Sequence, residues 1–264
     1  MLKNTRKFRC VFLCVLLSVS FLCSCARSSP SQPGDYESYR ASESGGAQLS
    51  ESPAPDSPQV QKARVDFDTL CGKLFHDQLS ENYLTLHYTL ADPASYGITD
   101  CALDFGDFSL ELLKEAGETQ KEDKAALDKI PVQFLTKQQQ LTYKILQATY
   151  EAEAKFEGLE LYYQPLAPTV GVQAQLPVLL AEYIFYSRQD VEDYLTLLST
   201  IDRYYEQILE FEKEKAKAGL FMTDTCVDTI VSDCEAYLAA PEENFLASTF
   251  DERIDALTDL GEDE

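Results

Sequence analysis

Tryptophan is absent from this 264-residue chain, and only two histidines and two methionines occur in it. The two imidazoles, His76 and His87, exclude a three-histidine metal centre built from this sequence. They lie 11 residues apart, about 16 Å of rise on one continuous helix, too far to clasp a single zinc. Both are expected to be partly buried helix residues, and no metal ligand is assigned. The motifs H-E-x-x-H, G-x-S-x-G, G-x-x-x-x-G-K-[ST], G-x-G-x-x-G and C-x-x-C are all missing. Basic charge is scarce as well, with 22 Lys and Arg against 45 Asp and Glu, a net charge of −23. Such a surface repels phosphate backbones and argues against nucleic acid as a partner. With so many carboxylates, no one pair stands out as an acid and a base. Long apolar runs are also lacking. The longest, Val11 to Leu22, has 12 residues, well short of the roughly 20 that a spanning helix needs.

What is present begins at the N-terminus. Lys3, Arg6, Lys7 and Arg9 precede the short apolar run, the arrangement of an export signal. The run closes on Leu22-Cys23-Ser24-Cys25, which resembles the lipobox of bacterial lipoproteins. The resemblance implies that Cys25 is acylated, becomes the new N-terminus and holds an exported protein on the bacterial cell membrane. Losing the four basic residues of the signal would deepen the charge from −23 to −27. Residues 26–58 contain nine Ser, five Pro and three Gly, a composition that disfavours a packed core. The expected organisation is therefore a signal peptide at 1–24, a lipidated cysteine and tether at 25–65, and a helical domain at 66–264.

From Asp66 onward the periodicity predicts an all-α fold of about six to eight helices. Phe67, Leu70, Cys71, Leu74, Phe75 and Leu79 recur at spacings of three and four, and Asn82 to Leu90 continues the pattern until Asp92-Pro93. Short helices are expected at Leu110 to Ala116, closed by Gly117, and at Lys121 to Ile130, stopped by Pro131. Thr136 and Gln139 form a capping box for a helix whose apolar stripe is Leu141, Ile145, Ala148, Ala152 and Phe156. Pro177 suits the first turn of another. One long helix is predicted near 188–218, with Lys213, Lys215 and Lys217 in its last turn and Gly219 as a left-handed cap. Cys226 and Cys234 share the next helix about 12 Å apart, beyond disulfide reach, so free thiols are expected there. Glu182 lies within an apolar run and reads as a structural residue.

The segment of most individual character is 161–177, with paired tyrosines, Pro165, Pro168 and three glutamines. As a loop it presents Tyr162 and Tyr163 as an aromatic wall and Gln173 and Gln175 as amide hydrogen-bonders for an extended peptide. The alternative is a rigid connector whose tyrosines pack on neighbouring helices.

Tyr162 to Pro168, Gly171 to Tyr183, Asp190 to Leu197 and Glu210 to Met222 together resemble the N-terminal part of the domain of unknown function 885 family. Leu86 to Gly97 is similar to its opening, and the likeness spans roughly residues 66–260. That family consists of largely helical bacterial proteins, many of them lipoproteins, which resemble zinc metallopeptidases. The resemblance implies the N-terminal half of such a fold. Zinc is expected only in members that carry the H-E-x-x-H helix. Nothing here aligns with that helix, so no catalytic residue carries over and the chain is expected to be inactive alone. Two readings follow. The chain is a truncated or split member that needs a separate catalytic half, or it is a non-catalytic surface lipoprotein that binds peptides or a partner protein through the 161–177 loop.

Overall fold

The computed structural model describes residues 57–239, 241 and 244–257, and every regular element among them is helical. The all-α expectation holds. In order the helices are α1 (Pro58–Leu79), α2 (Tyr83–Thr89), α3 (Leu110–Leu127), α4 (Lys137–Glu153), α5 (Val172–Glu182), α6 (Arg188–Leu198), α7 (Ile201–Lys217), α8 (Asp224–Leu238) and α9 (Phe245–Asp255). None of the described helices is long and apolar enough to cross a membrane. Helix α1 starts at Pro58, inside the stretch expected to be tether, with the Ser57 hydroxyl accepting from Val60 N–H. Cys25 and the signal region lie outside the described residues.

Local capping signals translate directly into helix starts. The Thr136 box is present in both directions, as is a second one between Ser187 and Asp190. Gly219 takes φ 72°, and Leu220 N–H bonds Lys215 C=O at 2.9 Å, closing α7 as a left-handed cap.

Four expectations need correction. The single long helix at 188–218 is two helices, α6 and α7. Ser199 Oγ donates to Thr196 C=O (2.6 Å) and Thr200 Oγ1 to Leu197 C=O (2.8 Å), while Thr200 N–H reaches back only three residues. Adjacent hydroxyls that compete for helix carbonyls tighten and break the run there. The two short helices around Gly117 are one, α3, because no cap follows that glycine and its backbone stays helical. Pro177 sits inside α5, which begins five residues earlier at Val172. Finally, α4 turns its predicted stripe to solvent. Leu141, Ile145 and Phe156 are 53 %, 57 % and 68 % exposed, and Tyr143 and Tyr150 are buried instead.

Two main cores result. Phe67, Leu70, Leu127, Ile130, Leu135, Tyr143 and Tyr150 join α1, α3 and α4. Leu84, Phe105, Leu176, Leu180, Tyr183, Phe185, Tyr194 and Leu197 join α2, α5 and α6, with Leu246, Phe250 and Ile254 of α9 packed on them. A smaller group, Phe108, Leu113, Ile208 and Phe211, seats α7 against the segment that carries Leu161, Tyr163 and Leu166. That last contact positions the site described next.

Candidate functional site

Segment 161–177 is closed on itself. Gln173 Nε2 donates to Ala167 C=O at 2.5 Å and Gln175 Nε2 to Thr169 C=O at 3.2 Å. Backbone bonds from Gly171 to Ala167 and from Val172 to Pro165 complete the turn. A Cβ at Gly171 would overlap the Ala167 backbone, so only glycine fits this approach. Tyr163 is half-buried with its ring 5.8 Å from that of Phe108, while Tyr162 stays exposed. The four residues singled out in the sequence thus divide. Tyr163 packs inward, the two glutamines tie the turn, and Tyr162 alone offers a free aromatic face.

Beneath the segment lies a buried ion pair that sequence reading passed over. Lys215 is fully buried, and its Nζ donates to Glu212 Oε1 (3.2 Å) and Gln164 Oε1 (3.0 Å). The pair fastens the 161–177 segment to α7. The signal was available, because Lys215 falls on the same helical face as Ile208 and Phe211. The neighbouring Lys213 and Lys217 bond Glu210 and Glu214 at the surface, as a solvated last turn should.

Beside the pair, α7 and the segment leave an open cleft of about 440 Å³. Leu166, Tyr205, Ile208, Leu209, Ala216 and Phe221 make its apolar walls. Leu209 and Phe221 remain about half exposed at its rim. The wall chemistry suits an aliphatic or aromatic side chain rather than a charged ligand.

A second polar assembly joins α2 to the turn before α6. The His87 ring stacks on Tyr183 at 3.8 Å, its Nε2 lies 2.9 Å from Ile184 C=O, and its Nδ1 faces Asp190 Oδ1 at 3.8 Å. Tyr83 donates to Asp193, which also accepts from Gln189 Nε2 at 2.8 Å. Burial pushes the His87 imidazole below its ordinary 6.5, although the Ile184 carbonyl and Asp190 pull the other way. The folded state therefore binds this proton less readily than the unfolded chain. Stability from the neutral ring is complete above about pH 6.5 and is lost as the pH falls below it. Urea unfolding at pH 7.5 and 5.5 checks this. The wild-type loss between the two should shrink in His87→Gln, and an identical loss in both proteins would contradict it.

His76 lies on a different helix from His87 and pairs with Ser80, so the two imidazoles do not converge. Among the described residues no three His, Cys, Asp or Glu side chains are grouped to hold a metal. Among the described residues no disulfide joins Cys71, Cys101, Cys226 or Cys234, all of them half-buried. Glu182 is exposed on α5.

Comparison with known families matches the bacterial proteins of unknown function DUF885 over residues 93–263, more than half of the chain. The chain belongs to the DUF885 family. The match takes in segment 161–177, the cleft and the Lys215 pair, and begins at Pro93, so α1 and α2 precede it. No curated protein and no solved structure matches the chain.

Proposed function

We propose that this DUF885 chain is an exported, lipid-anchored recognition module that seats an apolar side chain of a peptide or partner protein in the cleft of α7. The observation that carries the reading is the cleft itself, about 440 Å³ with almost wholly apolar walls, beside a segment held rigid by Gly171, Gln173 and Lys215. A stiff rim limits the ordering cost of binding. Tyr162, exposed on the same segment, adds an aromatic face for a second side chain. The sequence contains no H-E-x-x-H, which supports binding without zinc-dependent hydrolysis. The signal run and Cys25 support export and acylation, and tandem mass spectrometry of Cys25 from membrane fractions would read the acyl mass directly.

Titration calorimetry of the mature chain with extended peptides, leucine-centred against glycine-centred, tests the cleft. Burying one leucine is worth about 1.5–3 kcal/mol, so the leucine peptide should bind roughly ten- to a hundredfold tighter. Leu209→Asp should erase that preference. Equal affinities for both peptides, or a preference that survives the substitution, would sink the reading.

A second reading is favoured by α8, which buries only Ile230 while Val231 and Leu238 face solvent. Here the domain docks a separate polypeptide that carries an H-E-x-x-H helix. Its mark is zinc-dependent peptide hydrolysis that arises only on mixing the two and is absent from either alone.

A further inference from the structure

The outward stripe of α4 is an apolar feature that the reading above leaves unused. Leu141, Ile145, Ala148 and Ala152 are all exposed at spacings of four, three and four, and Phe156, in the 3-10 turn that follows α4, is exposed as well. These spacings hold the four α4 residues on one face of the helix over about 16 Å. The opposite face is fully engaged through Tyr143, Leu146 and Tyr150. A helix this amphipathic on both sides needs a cover on each.

We propose that the cover is a second copy of this chain, the two α4 helices packing antiparallel about a twofold axis at Ala148. The order of side-chain sizes is the argument. Reversing the stripe sets Ile145 against the second copy's Ala152 and Ala148 against its own equivalent. Ile145 meets an alanine, and the alanines let the helix axes approach closely at the centre. Charge agrees with the same register. Lys144 and Glu151 lie exposed on one flank of the stripe, and about this axis Lys144 comes opposite the second copy's Glu151. One helix per copy buries less than the roughly 1,200 Å² of a standard interface, so the dimer is a weak, concentration-dependent one.

Sedimentation velocity of the mature chain across a range of concentrations, with cross-linking, tests this. Ala148→Cys should give a disulfide-linked dimer on non-reducing gels under mild oxidation. A Cys25→Ser parent, whose four remaining cysteines are half-buried, and Thr142→Cys in that parent, off the seam, should not. Ile145→Lys should sediment as a monomer with an unchanged far-ultraviolet spectrum, since the position is more than half exposed. Lys144→Glu should weaken dimerisation at least several-fold, and Lys144→Glu with Glu151→Lys should restore it. A wild type that stays monomeric at every concentration, or a dimer indifferent to Ile145→Lys, overturns the proposal. A double charge swap that fails to rescue overturns the antiparallel register.

Discussion

Lys215→Met should lower the free energy of unfolding by about 3–5 kcal/mol, the cost of leaving a buried charge without its partner. Glu212 is 4 % exposed, and its Oε2 already lacks a hydrogen-bond donor, so the Lys215 ammonium is what compensates the carboxylate. The same substitution frees Gln164 and with it the anchor of segment 161–177. Glu212→Leu in the Lys215→Met background should recover much of the loss, because two apolar residues need no compensation. Chemical denaturation at pH 7 measures both. A loss below about 1 kcal/mol in the single variant would mean that water reaches Glu212 and that the pair does not hold the segment. Peptide affinity should fall alongside stability in the single variant if rigidity of the rim matters to binding.

Arg253→Ala should cost about 2–4 kcal/mol and release α9, in line with the loss of several charge-assisted hydrogen bonds. The Arg253 guanidinium donates to Leu180 C=O at 2.9 Å and Tyr183 C=O at 2.7 Å, carbonyls at the end of α5 that have no following helical turn to serve them. It also lies 4.6 Å over the Phe185 ring and 4.8 Å from that of Tyr194. Amide hydrogen exchange should accelerate across Phe245–Asp255 by at least tenfold while α1 and α4 keep their protection. Arg253→Lys should recover only part of the loss, since an ammonium cannot both fork across two carbonyls and stack between two rings. Unchanged exchange in α9 would show that Leu246 and Phe250 hold the helix without the arginine.

Most of the helices were legible because their caps are local. Thr136 with Gln139, Ser187 with Asp190, and Gly219 each carry their signal within a few residues. What escaped depended on competition or on partners far away in sequence. The break at Ser199–Thr200 comes from two hydroxyls bonding carbonyls one turn back, a choice that a strong apolar stripe conceals. Helix α4 carries two apolar stripes, and periodicity alone does not say which one meets α1 and α3. Segment 161–177 was found from composition, but its glutamines turned out to bond their own turn, because Gly171 brings the backbone within their reach. Lys215 looked like one of three cations at a helix end, and only its register with Phe211 betrayed it.

Helix α8 is held on either side by better-anchored neighbours. It follows the Gly219 cap of α7 and precedes α9, which Arg253 ties to α5. Having a single buried residue, it can peel away and return while both flanking helices stay seated. Backbone amides along Asp224–Leu238 should therefore trade their protons for deuterium sooner than those of either flanking helix.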